Sequence, residues 1–208
     1  MLFRTIGQQL IVISLFSLLA AACKADSSDI HIVAFGTSFT AGKGVGTSEV
    51  FTAKLEKLLK EKGEHVQIIN RGTNGITTTL LLSSVGSAVP DNTQIVIFEY
   101  AYGNDKSRGI SIDEMVKNCD AIIGKLVARN IQVLLVIRGR DQDELVKRIG
   151  WFHETIAKYK IRYIAIEQPE SSLQFDKQHP TAEAHGLIAA SMVDSVMALI
   201  GVVKESNH

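Results

Sequence analysis

The chain has 208 residues, 46% hydrophobic and 21% charged, with 22 basic side chains against 22 acidic ones. A zero balance excludes the basic footprint of a nucleic-acid binder, and three prolines without a polar low-complexity tract exclude a disordered scaffold. Two cysteines exclude a disulfide-rich fold, which leaves one domain able to bury about 70% of its unfolded surface without staples.

The first segment in chain order is to be set aside before any fold reasoning. Arg4 is the only charge before Lys24, residues 10–22 are almost unbroken apolar, and Ala20, Ala21 and Ala22 close the run. This is the pattern of a secretory signal, and it falls short of the about 20 apolar residues that a membrane span needs. The expected organisation is a signal peptide over 1–22, a short linker over 23–29 and one domain over 30–208, exported to the periplasm or tethered to a membrane. Leu19-Ala20-Ala21-Ala22-Cys23 resembles the signal of bacterial lipoproteins, which carry a lipid on that cysteine. Ala20 stands where a large aliphatic residue is usual, so a lipidated and a simply cleaved product both stay open.

From residue 30 the apolar pattern switches between short continuous runs and helical spacing. Runs rich in Ile and Val at 30–35, 66–70, 94–100, 131–137 and 161–166 read as buried parallel strands, because they do not alternate with polar residues. Helical patterns lie near 48–62, 77–88, 111–129, 141–160 and 181–201. Ser111 with Glu114, and Asp141 with Glu144, have the spacing of a capping box. Cys119 shares a helical face with Met115, Ile122 and Leu126 and reads as a small buried residue. Leu145, Ile149, Phe152 and Ile156 form another core stripe. Five strands with intervening helices predict an α/β fold, a three-layer doubly wound and mostly parallel sheet.

In such a sheet ligands bind beyond the carboxyl ends of the strands, so the chemistry is sought in the loops that follow them. After the first strand comes Gly36-Thr37-Ser38-Phe39-Thr40-Ala41-Gly42-Lys43-Gly44. Five residues rather than four separate Gly36 from Gly42, and Gly44 follows Lys43, so the phosphate-loop pattern fails twice. The lipase-type elbow fails as well, because Thr40 takes the place of its second glycine. Alone, Ser38 reads as a helix-capping serine. The last loop changes that reading. Asp176 and His179 lie three residues apart, close enough for the carboxylate to orient an imidazole that takes a proton from a serine. Further ligands for a metal are missing nearby. His31, His65, His153 and His208 have no acidic neighbour arranged in this way.

Four motifs, in order, resemble the SGNH hydrolase superfamily, the GDSL esterases and lipases. Gly36-Thr37-Ser38-Phe39 is similar to the Gly-Asp-Ser-Leu run, Asn70 to Thr77 to the Asn-x-x-x-x-Gly-x-Thr loop, Tyr102-Gly103-Asn104-Asp105 to Gly-Gly-Asn-Asp, and Asp176 to Pro180 to the Asp-x-x-His-Pro segment. The resemblance spans residues 30–200 and implies a flavodoxin-like sheet. It implies Ser38 as nucleophile, His179 as base, Asp176 as its orienter, and an oxyanion hole from the Ser38 and Gly75 backbone and the Asn104 amide. Phe39 and Tyr102 are the expected substrate contacts, though Tyr102 also reads as a structural tyrosine. His185 resembles a recurrent position but reads as packing. Thr37 replaces the usual aspartate, Ile76 stands where an acidic residue is common, and Tyr102 replaces a glycine.

The implied activity is cleavage of carboxylic esters or thioesters through an acyl-enzyme on Ser38. By length the chain is similar to the small bacterial periplasmic thioesterase, lysophospholipase and arylesterase branch. The alternatives are an O-acetyl esterase of cell-wall or other polysaccharides, and a degenerate member that binds acyl or sugar ligands without turnover. No metal or organic cofactor is implied. The expected partner is a small acyl ester or thioester met by a monomer, with no nucleic acid and no membrane contact except through a lipid on Cys23.

Overall fold

The computed structural model describes residues 29–206, so the signal segment 1–22, Cys23 and nearly all of the linker lie outside the described residues. In chain order the elements are β1 (Ile30–Gly36), α1 (Ser38–Ala41), α2 (Phe51–Glu61), β2 (Val66–Gly72), α3 (Thr78–Ala88), β3 (Ile95–Glu99), α4 (Tyr102–Ser107), α5 (Ile112–Val127), β4 (Gln132–Gly139), α6 (Gln142–Trp151), α7 (His153–Tyr159), β5 (Arg162–Glu167) and α8 (Ala182–Ser206). The strands form one sheet in the order β2-β1-β3-β4-β5. Every neighbouring pair is parallel, where the sequence had suggested only a mostly parallel sheet.

The continuous apolar runs follow from helices covering both faces of this sheet. Ile32, Ala34, Ile95, Ile97, Leu134 and Val136 pack on one side with α2 and α8. Their neighbours Val33, Phe35, Val96, Phe98, Val133 and Leu135 pack on the other with α3, α5, α6 and α7. By length and composition α8 could cross a membrane. Instead Ile188, Met192, Val196 and Ile200 on it are buried in the first core, against α2.

Both N-caps form, without the reciprocal glutamate bond of a full capping box. Ser111 Oγ accepts from the Glu114 N–H at 3.1 Å, and Asp141 Oδ1 accepts from the Glu144 N–H at 2.8 Å. The segment 141–160, expected as one helix, is two. At Phe152 the backbone turns to φ −106 and ψ 5, and the ring drops fully out of solvent against Tyr100, 4.7 Å between centroids. The core contact at residue 152 outweighs the local helical preference.

His185 is the buried packing residue that the sequence suggests. Its ring is fully buried, 6.0 Å from both Phe39 and Phe51, and Nδ1 accepts from the Phe51 N–H at 3.3 Å. Burial pushes its pKa down from 6.5 to about 4. The folded ring therefore stays neutral where the unfolded one protonates, so stability is full above about 6.5 and falls as pH drops toward about 4. The expected loss is at most about 1.4 kcal/mol per pH unit. Urea midpoints across this window should show it, and His185→Gln, which keeps an acceptor for Phe51, should flatten that slope.

Candidate active site

The turn after β1 is built around close backbone approach. Thr37 caps α1 and Gly42 ends it in the left-handed region at φ 74. Gly72 at the end of β2 lies so close that a Cβ there would run into the Ala41 backbone. Asn70 fastens the two loops: its Nδ2 donates to the Thr40 carbonyl at 2.7 Å, and its Oδ1 accepts from the Gly72 N–H at 2.9 Å. Ser38 is thus the first residue of a single tight helical turn.

The structure brings Ser38, His179 and Asp176 into one hydrogen-bonded line. His179 Nε2 lies 2.8 Å from Ser38 Oγ, and Nδ1 lies 2.6 Å from Asp176 Oδ2. The other carboxylate oxygen accepts from the N–H groups of Gln178 at 2.9 Å and His179 at 3.0 Å. These bonds, led by the one to the His179 ring, hold the Asp176 carboxyl far below the usual carboxylate range. An ionised carboxylate only accepts, so Nδ1 must donate to it, and Nε2 is left to accept the Ser38 hydroxyl proton. Gln174 steadies the loop, its N–H on the His179 carbonyl at 2.7 Å and its amide on the carbonyls of Lys43 and Pro180, each at 2.8 Å.

Behind Ser38 lies a polar cluster that the motifs did not reveal. Glu99, 1% exposed, accepts from the Thr37 N–H at 2.7 Å, the Thr37 hydroxyl at 2.8 Å and the Thr40 hydroxyl at 3.1 Å. Arg138 Nη2 donates to its other oxygen at 2.7 Å, and the guanidinium stacks 4.1 Å from the Phe39 ring centroid. Thr37 therefore does the loop-organising work as a donor, in a place where a second carboxylate would face Glu99. The available signal was a charged residue closing each of two otherwise apolar strand patterns.

Ser38, Asn104, Tyr102 and His179 share one cleft of about 650 Å³. Asn104 Nδ2 donates to the Ile76 carbonyl at 2.8 Å, tying the loops after β2 and β3 together. Gly75 has φ 71, a left-handed turn that favours glycine, but it does not line the cleft. Tyr102 packs against Trp151, 5.2 Å between centroids, and under the Arg148 guanidinium at 4.4 Å. Phe39 requires a correction. At 1% exposure, its ring is enclosed by Phe51, His185 and Arg138, so it underlies the cleft instead of offering a surface to substrate. Among the described residues no group of three or more His, Cys, Asp or Glu side chains could hold a metal.

A serine on the tight turn after β1, an interior strand, and an oriented imidazole on the loop after β5 are the arrangement of a serine hydrolase of the α/β class. Residues 34–187 match the GDSL-like lipase/acylhydrolase family, and the chain belongs to it. Esterase TesA of Pseudomonas aeruginosa is 25% identical over 105 residues, which is 50% of this chain and 52% of that one, so the match spans about half the length of this relative. Among solved structures, the psychrotrophic esterase EstA from Pseudoalteromonas sp. superposes with a TM-score of 0.71 at 20% identity, over 83% of this chain and 100% of that chain. AlinE4, an SGNH-hydrolase family esterase, gives a TM-score of 0.63 at 29% identity, over 82% of this chain and 96% of that one.

Proposed function

We propose that the protein hydrolyses carboxylic esters or thioesters through an acyl-enzyme on Ser38. The observation that carries this reading is the unbroken line Ser38 Oγ, His179 Nε2, His179 Nδ1, Asp176 Oδ2. Ser38 attacks the acyl carbon as its proton passes to His179 Nε2, and Asp176 stabilises the imidazolium that forms. The tetrahedral oxyanion is held by the Ser38 backbone N–H and the Asn104 amide, while Gly75, which lies outside the cleft lining, is not placed to share in it. His179 then gives the proton to the departing alcohol or thiol, and water repeats the sequence to release the acid. Family membership and the likeness to AlinE4, itself an esterase, support the reading.

The test is covalent labelling. EstA is described as inhibited by monoethylphosphonate, and an active-serine phosphonate should likewise add its mass to Ser38 here and spare Ser38→Ala. A protein that binds ligands without turnover would stay unlabelled. The O-acetyl esterase reading is favoured by the cleft itself, whose lining is mainly polar and charged, with little apolar wall for a long acyl chain. Rates on a series of acyl chain lengths should therefore fall steeply beyond the shortest members.

Asn104→Ala should lower kcat about 10²–10³-fold with KM changed only a few fold, since a developing charge gains more from the donor than the ground-state carbonyl does. If Asn104 only held its turn, the variant would lose melting temperature and keep kcat. Export is the reading of residues 1–22, and N-terminal sequencing of protein from the native host should begin at or near Cys23.

A further inference from the structure

The cleft around Ser38 has an unbalanced charge. Its lining includes four cationic side chains, Lys106, Arg138, Arg140 and Arg148, but only two carboxylates, Glu99 and Glu144. Both carboxylates are committed: Glu99 to Arg138 at 2.7 Å, and Glu144 to Arg148. Among the described residues neither Lys106 nor Arg140 forms an ion pair. Neighbouring acids have other partners, and the second oxygen of Glu144 accepts from the Arg140 backbone N–H at 2.6 Å. Asp105 is buried on Thr78, Asp141 caps α6, and Asp176 faces His179. Arg140 spends Nη2 on the Lys177 carbonyl at 2.7 Å.

The two unpaired cations also lie in one direction. Lys106 is on α4 after β3 and Arg140 follows β4, while the loop after β2 contributes nothing to the lining. The cleft therefore runs from Ser38 toward the β4 side, with the excess positive charge along that path. A cleft with an excess of one sign attracts an oppositely charged ligand, and an arginine and a lysine lining the same cleft suit a carboxylate or phosphate. We infer that the preferred ester carries an anionic group, carboxylate or phosphate, which Lys106 and Arg140 bind on the β4 side of Ser38. This inference rests on the hydrolase reading and adds a substrate class to it.

The test compares three acetate esters of matched leaving-group acidity, one neutral, one bearing a carboxylate and one bearing a phosphate, with the protein and with Lys106→Ala/Arg140→Ala. The protein should favour at least one anionic ester over the neutral one roughly ten-fold in kcat/KM, and added salt should shrink that preference. Whichever anionic ester leads identifies the group recognised. In the double variant the anionic-to-neutral ratio should fall toward one. A ratio at or below one in the unmodified protein, or a preference that survives the double substitution, overturns the inference while leaving the hydrolase reading intact. No turnover of any of the three overturns both.

Discussion

His179→Ala is expected to abolish turnover of an activated ester almost as completely as Ser38→Ala, each by on the order of 10⁶ in kcat. The reason is the 2.8 Å contact between Nε2 and Ser38 Oγ. Without an acceptor for its proton the hydroxyl is a poor nucleophile, so removing the base removes the benefit of the nucleophile as well. Asp176→Asn should cost less, roughly 10⁴, because the substituted side chain no longer selects the tautomer that leaves Nε2 free. Burst kinetics on a p-nitrophenyl ester with all three variants would check this. Retention of most of kcat by His179→Ala would show that the base lies elsewhere.

Glu99→Ala should be the most destabilising substitution in the nucleophile region, by about 3–5 kcal/mol. It removes the partner of Arg138 and, in the same step, the acceptor of the Thr37 N–H and of the hydroxyls of Thr37 and Thr40. Glu99→Gln keeps one acceptor oxygen while losing the charge, so it should cost less. Chemical denaturation reads the stability, and kcat of the folded fraction reads how far Ser38 has shifted. Equal losses for Glu99→Ala and Glu99→Gln would mean that the charge itself, not the count of acceptors, holds the turn.

Much of this architecture is legible in the sequence because its signals are local. The strand runs at 30–35 and 131–137, the caps at Ser111 and Asp141, and the Asp176–His179 spacing each lie within a few residues. What escaped is set by contacts between distant parts of the chain. The Glu99–Arg138 pair joins adjacent strands 39 positions apart, a neighbourhood visible only once the strand order is known. Phe152 carries a helical pattern yet leaves the helix to reach Tyr100. Phe39 sits beside Ser38 in sequence, but the short turn of α1 sends its ring into the core. Adjacency along the chain says little about which way a side chain faces on a tight turn.

The union of Ser38 with His179 spans 141 positions and depends on the loop just before the last helix. Parallel strands joined by crossovers place many such contacts late in folding, because long loops must close before they are rewarded. A nascent or partly folded chain that lacks the docked α8 therefore holds a serine with no base. During refolding, helical circular dichroism should recover first and ester turnover should lag behind it. On the proposed mechanism, Ser38 gains its base only when the loop before α8 has closed against the turn after β1.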